Sequence, residues 1–199
     1  FSYDLKTTEV KVFNTGIDFF DRFYIDADKL IAYGVWREVY EGGEIEYYGG
    51  GIVFYTYDFG RHGLIASETD LDRTIQSHNG KDRYTNTTGN GIGKGETNTT
   101  LIIALQTNDN PVGNFAAKLC ADYSVTVDGQ NYGDWYLPSK LELTYLFLRK
   151  DIVGGFSNTY YWSSTEFSSI SAWGMDMAEG SFFNIRKDVP CAVRAIRAF

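Results

Sequence analysis

An α+β domain is the fold class this sequence predicts, on three observations. A stretch in the second half carries a helix-capping signature followed by a helical apolar face. Two further helix-like stretches precede it. The chain after it runs in short, alternating segments of the kind antiparallel strands make. Glycine is plentiful at 21 residues and proline scarce at 3, which suits short strands joined by many turns.

The capped stretch is NYGDWYLPSKLELTYLFL, from Asn131 to Leu148. Pro138 stops what precedes it. Ser139 and Glu142 have the S-x-x-E spacing in which the hydroxyl covers an orphan N–H and the carboxylate reaches back. Leu141, Tyr145 and Leu148 then fall on one face, with Leu146 beside them. Gly154–Gly155 end the helix by supplying backbone freedom. Tyr160-Tyr161-Trp162 starts a strand, and Ser163-Ser164-Thr165 continues it.

Upstream, Lys11-Val12-Phe13 and Phe23-Tyr24-Ile25 read as short strands, with turns at Asn14–Gly16 and Asp26–Asp28. Val35–Tyr40 mixes aromatic and charged residues. Residues 1–48 are thus expected to form a small β appendage, an oligomerisation segment, or the first strands of the main domain, which spans 49–199. Ile52–Tyr55 is a buried strand by its continuous apolar character, and His62–Ala66 is the next. Residues 67–97 are polar and glycine-rich, which predicts a long surface loop. Thr99–Gln106 and Gly113–Tyr123 read as helices, with Asn98 capping the first and Phe115 and Leu119 on one face of the second.

In the tail, Trp173, Met175 and Met177 share one parity and Gly174, Asp176 and Ala178 the other, which predicts a sheet with one side in the core. Val193, Ala195, Arg197 and Phe199 likewise fall on one side of a closing strand.

Composition narrows the function. The chain has 199 residues, 43% hydrophobic and 17% aromatic, enough for a sizeable core without staples. A formal net charge of −8 argues against nucleic acid and other polyanions, whose recognition needs clustered Lys and Arg. No run approaches the roughly 18 apolar residues of a membrane span, so no membrane insertion is expected. No signal peptide is visible, and the chain opens on Phe1 rather than Met, which implies an N-terminal part removed or lying outside it. Two cysteines, Cys120 and Cys191, are too few for a disulfide framework; their pairing stays open.

The motifs DWYLPSKLEL, YYWSSTE, Ala172-Trp173 and the closing VRAIRAF resemble the domain at the end of bacterial collagen-like adhesins. GGGIVFY, HGLIAS, the TG-x-G-x-G loop with the TNTT after it, and AAKLC match the same family upstream, so the resemblance covers Gly49 to Phe199. That domain is similar in fold to C-type lectins and formylglycine-generating enzymes. The resemblance implies short antiparallel sheets, two to three helices and long loops, with the first and last strands of the domain paired and its chain ends close together. The closing VRAIRAF also resembles the variable proteins served by diversity-generating retroelements, in which such a scaffold carries a hypervariable binding face. Trimers are common among these relatives, so a homo-oligomer is one implied state.

Sites of bound chemistry are sparse. The loop Gly89–Gly95 fails the P-loop pattern: Gly95 stands where Ser or Thr is required, and Thr88 where the first glycine should be. His62 and His78 have no metal-ligand spacing with the cysteines, and His62 reads as a hydrogen-bonded structural imidazole at a strand entry. The E-P-N, Q-P-D and W-N-D tripeptides of calcium-dependent lectins are missing, and Ser163-Ser164 follows Trp162. No EF-hand loop occurs. No cofactor, metal or catalytic residue is therefore assigned. Asn86-Thr87-Thr88 and Asn98-Thr99-Thr100 fit the glycosylation sequon, but loop polarity and helix capping account for them as well.

Ser168–Cys191 is where recognition is expected. Phe182 and Phe183 are adjacent and, in a strand, must point to opposite faces. Around them Ser181, Asn184, Ile185, Arg186 and Asp188 mix adaptable polar residues with rigid aromatics, the chemistry of paratopes. The full expected face is Ser169, Ile170, Ser171, Gly174, Asp176, Glu179, Ser181, Phe182, Phe183, Asn184, Ile185, Arg186 and Asp188. The alternative is ordinary sheet residues, with one Phe in the core and one covered by the N-terminal segment. Retroelements of the implied kind randomise adenines in asparagine-type codons and cannot reach Lys, Glu, Gln, Met or Trp. Ser181–Arg186 and Asp188–Cys191 hold only reachable residues; Lys187, Glu179, Met175 and Met177 do not fit.

The expected function is non-enzymatic binding of a protein or cell-surface ligand by a retroelement-diversified variable protein on a phage tail or a bacterial surface. Two alternatives stand beside it: an enzyme of the formylglycine-generating kind, and an adhesin subunit with an invariant surface.

Overall fold

The computed structural model describes residues 47–58 and 61–199, together with four short strands nearer the N-terminus. Those strands form two hairpins: β1 (Ser2–Asp4) pairs with β2 (Glu9–Lys11), and β3 (Phe23–Asp26) with β4 (Ile31–Gly34). The strand expected at Phe23–Ile25 falls in β3, whereas of Lys11–Phe13 only Lys11 is in a described strand. The turn at Asn14–Gly16 and the stretch Val35–Tyr40 lie outside the described residues.

The main body is a mixed α+β arrangement. Its first strands are β5 (Tyr47–Tyr48), β6 (Gly51–Tyr57), β7 (His62–Ala66) and β8 (Asp72–Ile75). Helices α1 (Lys94–Gln106) and α2 (Ala116–Asp122) come next, then the small hairpin β9 (Val125–Val127) and β10 (Gln130–Tyr132). Helix α3 (Lys140–Leu148) and the single turn α4 (Lys150–Val153) lead into β11 (Tyr160–Glu166), β12 (Ser171–Asp176) and β13 (Phe182–Arg186). The chain closes with β14 (Cys191–Val193) and β15 (Ile196–Ala198). One sheet has four antiparallel strands in the order β15-β7-β6-β5, and another has five in the order β13-β12-β11-β14-β8. Among the described strands only the β11–β14 pairing is parallel.

The domain ends do lie together. Gly49 O accepts from Arg197 Nη1 at 3.0 Å, and the Tyr48 and Phe199 rings meet edge to face at 5.0 Å. Strand β15 pairs with β7 rather than with β6, so one strand stands between the first and last.

Strand β11 explains how the core is divided. Tyr161 and Trp162 are successive, so they leave the sheet on opposite faces, yet both are fully buried. Trp162 packs with Ile75, Ile102, Phe115 and Trp135 under α1 and α2. Its indole N–H donates to Ile75 O at 2.9 Å, which satisfies the one polar atom of the ring. Tyr161 packs with Leu143, Leu146, Met175 and Met177 under α3. The central sheet is therefore covered on both faces, not on one as the alternation of the tail suggests. Met175 and Met177 are buried as expected, but Ala172, on the other parity, is buried as well.

The capping box is present as expected. Ser139 Oγ accepts from Glu142 N at 3.3 Å, and Glu142 Oε2 accepts from Ser139 N at 2.7 Å. The buried face of α3 differs from the expected one: Leu143 and Leu146 are interior, whereas Leu148 is 65% exposed. The helix is turned so that Glu142 points inward, and Tyr145 then stacks on Tyr55 at the rim, with ring centroids 4.2 Å apart. Burying Leu143 and Leu146 is worth about 1.5–3 kcal/mol each. Helix α3 breaks at Arg149, where φ is −116°, and α4 ends at Gly154 with φ +68°.

Residues 67–97 are not the surface loop the composition suggests. They contain β8, they supply the start of α1, and Ser67, Ser77, His78, Asn79, Thr85 and Thr87 are buried. The signal is hidden because polar groups, not apolar ones, tie this segment down. Arg194, also buried, donates to Ser67 O, Glu68 O and Asp70 Oδ1 at 3.0–3.1 Å. Tyr161 donates to Asp70 Oδ2 at 2.7 Å.

Candidate functional site

The expected face is built on the β12–β13 hairpin, the edge of the five-stranded sheet. Ser181, Asn184, Arg186 and Glu179 are exposed, Phe183 is 46% exposed and Ile170 is 45% exposed. Ser169, Asp176, Phe182, Ile185 and Asp188 are half-buried. Phe182 packs toward α3 and Phe183 points the other way, meeting Tyr160 edge to face at 5.6 Å. Arg186 holds Asp188 through two hydrogen bonds of 3.0 and 2.8 Å. The hydrogen bonds from Arg186 keep the Asp188 carboxyl below the ordinary aspartate range.

Two members of the expected face are interior. Gly174 is buried because β13 crosses it closely: a Cβ there would lie 2.6 Å from Ile185 Cδ1 and 3.2 Å from Tyr161 O. Ser171 is 8% exposed, and its hydroxyl is shared with Ser168 Oγ at 2.7 Å in the tight β11–β12 turn. Asp176 serves the β12–β13 turn, accepting from Ala178 N at 2.8 Å through its carboxylate and from Gly180 N at 2.7 Å through its carbonyl.

Several residues outside the expected set shape the same edge. Lys140 Nζ lies 3.8 Å from the Trp173 ring centre and 4.8 Å from that of Phe182, and Phe167 meets Trp173 edge-on at 5.0 Å. This row of aromatics with an inserted cation pins the hairpin to the first turn of α3, at about 0.5–2 kcal/mol per cation–π contact. The helical periodicity around Lys140 carries no sign of it, because the partners come from strands far along the chain.

Beneath the edge is a buried ion pair. Lys187 Nζ donates to Glu166 Oε1 at 2.6 Å, to Arg83 O at 2.9 Å and to Ser169 O at 3.1 Å. Glu166 also accepts from Thr85 N and Asn86 N at 2.8 and 2.9 Å. Both side chains are under 5% exposed. One network thus fixes the β11–β12 turn, the far end of β13 and the segment 83–86. The adjoining polar cavity, lined by Ser77, Thr85, Thr87, Ser163 and Lys187 among others, measures about 10 Å³, room for one water rather than a small-molecule ligand.

The glycine loop Gly89–Gly95 is a structural clip. Gly93 N and Gly95 N donate to the Glu142 carboxylate at 2.7 and 3.1 Å, so the amides a phosphate would need are already committed. Burial pushes the Glu142 carboxyl above its usual value, against the pull of these donors. Asn98 is not the cap of α1, which begins at Lys94. It is buried inside the helix and donates to Gly89 O at 2.8 Å, holding the same loop.

The other chemistry-bearing groups are scattered. Cys120 and Cys191 are free and buried, and burial pushes both thiols up, Cys191 to about 12. His62 stands at the entry of β7 as expected, with its side chain 54% exposed and its Nε2 4.0 Å from Asp58 Oδ2, a separation too long for a hydrogen bond. His78 is the buried one, and its Nδ1 accepts from Gly80 N at 3.2 Å. Among the described residues no group of three or more His, Cys, Asp or Glu is arranged to hold a metal ion. Among them, too, no helix is long and apolar enough to cross a membrane.

No family model matches the chain, and no curated protein matches it.

Proposed function

We propose that this chain is a binding module of C-type-lectin-like build whose β12–β13 edge recognises a protein or cell-surface ligand. Its side chains there are varied by a retroelement, and the protein is displayed on a phage tail or bacterial surface. The observation that carries the reading is a segregation within a few residues of sequence. Ser181, Phe183, Asn184 and Arg186, all reachable by adenine-directed change, project outward. Lys187, Met175 and Met177, all unreachable, are buried and hold the hairpin in place. Glu179 departs from the pattern, being unreachable and exposed at the hairpin tip, and Ser171, Gly174 and Cys191 depart from it the other way, being reachable and buried.

Recognition by such an edge suits its construction. The strand is braced from below by Lys187 and from the side by Lys140, so side chains can change without reordering the backbone. That limits the entropic cost of binding. The enzyme alternative needs a reactive thiol, and a buried thiol held near 12 is a poor nucleophile or metal ligand at neutral pH.

The neighbouring DNA provides the test. The reading expects a near-copy of the segment encoding the hairpin, with adenines at the codons for Ser181, Phe183, Asn184 and Arg186, beside a reverse-transcriptase gene. A locus with neither would remove the retroelement from the account. Charge reversal at Asp188, whose carboxylate is held by the exposed Arg186, should alter ligand binding while the domain stays folded. Asp176 is a poorer site for that test, because it shapes the turn.

A further inference from the structure

Two Asn–Gly pairs occur in the chain, Asn79–Gly80 and Asn90–Gly91, and the fold treats them oppositely. In such a pair the glycine nitrogen can close on the asparagine side chain, because no Cβ on the glycine hinders the ring. Asn79 is 7% exposed. Its Nδ2 donates to Gln106 O at 3.0 Å and to Asn110 O at 2.6 Å, and its main-chain N–H donates to Gln106 Oε1 at 3.0 Å. Gly80 N in turn donates to His78 Nδ1 at 3.2 Å. Nucleophile and leaving group are both held in place there.

Asn90 is exposed, within the glycine clip. Among the described residues neither its Nδ2 nor the Gly91 N–H has a hydrogen-bond partner. The side chain is held by its oxygen instead: Leu141 N, in the first turn of α3, donates to Oδ1 at 2.7 Å. That donor stands where negative charge gathers when a nucleophile adds to the carboxamide carbon, and the start of the helix reinforces it. A Cβ on Gly91 would meet only Lys94 Cγ, at 3.5 Å, so the surroundings do not crowd the attacking residue.

We propose that Asn90–Gly91 is a site of spontaneous covalent modification by deamidation, and that Asn79–Gly80 is protected from it by the fold. The Gly91 nitrogen gives up its proton to solvent, and its electron pair forms a bond to Asn90 Cγ. The Cγ–Nδ2 bond breaks, and the amide nitrogen takes a proton from solvent and leaves as ammonia. Water then opens the five-membered ring at one of its two carbonyl carbons. Opening at the main-chain carbonyl gives isoaspartate, and opening at Cγ gives aspartate. One water is consumed and one ammonia released, with no change of oxidation state. The two products differ in what they do to the clip. The aspartate form keeps an oxygen for Leu141 N and adds negative charge at the start of α3, where the helix dipole favours it. The isoaspartate form lengthens the main chain by one carbon just before Gly91. Gly91 O accepts from Ser139 Oγ at 3.0 Å and from Lys94 N at 3.1 Å, so that form loosens the junction of α1 with α3.

The test is incubation of the full folded chain in mildly alkaline buffer, followed by peptide mapping with mass spectrometry and enzymatic methyl-labelling of isoaspartate. The same incubation in urea provides the unfolded reference. In the folded chain the peptide holding Asn90 should gain the mass of an amide-to-acid conversion, with both products present. Reaching Asn79 requires its hydrogen bonds to open first, so it should convert slower than Asn90 by about tenfold or more. In urea the two pairs should convert at similar rates. Gly91→Ala, whose Cβ narrows the backbone freedom that ring closure uses, should slow conversion at residue 90 by about tenfold with the melting curve unchanged. An Asn90 that stays intact in the folded chain while the unfolded chain converts overturns the proposal. Equal conversion of Asn79 and Asn90 in the folded chain overturns it too, as does a Gly91→Ala chain that converts as fast as its parent.

Discussion

Lys187 and Glu166 face each other at 2.6 Å in the interior, directly under the strand whose side chains are exposed. The pair is fully hydrogen-bonded, so its cost is met as long as both partners stay. Lys187→Met leaves Glu166 buried with its backbone donors but no counter-charge, which should cost about 3–5 kcal/mol in chemical denaturation. Glu166→Gln combined with Lys187→Met should lose less than the two single changes together, because the stranded charge is gone. Additive losses would mean the two residues act separately.

Gly95 should be intolerant of any side chain. A Cβ there meets the Glu142 carboxylate, and lies 2.7 Å from Leu137 O and 2.9 Å from Ser139 N, so both helix starts are disturbed. Gly95→Ala is expected to destabilise by about 1–3 kcal/mol. Gly91 has only Lys94 Cγ within reach, at 3.5 Å. Gly91→Ala should stay within about 0.5 kcal/mol. Thermal or urea melts of the two variants decide it.

The thiols should be silent in the native state. Cys120 is 0% and Cys191 1% exposed, and neither is ionised near neutrality. A thiol reagent at about pH 8, where an ordinary thiol already reacts, should label neither cysteine until denaturant is added, when both react. Rapid native labelling of Cys191 would favour the enzyme alternative.

Acid should weaken the clasp between the domain's ends. Arg197 donates to both Asp134 oxygens, and these hydrogen bonds hold the Asp134 carboxyl below its usual value. A carboxyl lowered in the folded state adds stability above its unfolded value, about 3.9, and loses it as pH falls through the native value. The stability difference between the protein and Asp134→Asn should therefore be full at neutral pH and close as the solution is taken below about pH 3. A constant difference across that range would show that the ion pair contributes nothing.

Much of the scaffold was legible in the residues. The Ser139–Glu142 cap, β6, β7 and the helical character of α1 and α2 follow from local pattern, which is short-range physics. What escaped was long-range and polar. Glu142 serves α1 as well as its own helix, so the helix turns and Leu148 is left outside. Arg194 and Asp70 bury a segment that composition marks as loop. On the candidate face, the opposite orientations of Phe182 and Phe183 follow from strand parity, but the close passage of Ile185 over Gly174 and the Lys140–Trp173 contact depend on how distant elements meet.

The central claim is that the body holds its shape whatever side chains the β13 edge carries, and that those side chains choose the ligand. It is tested most directly by displaying a pool randomised at Ser181, Phe183, Asn184 and Arg186, selecting it for folding alone and then against unrelated proteins. The account predicts that folding selection leaves these four positions diverse, and that different targets enrich different residues there. A pool that returns to the parental residues under folding selection, before any target is offered, would contradict it.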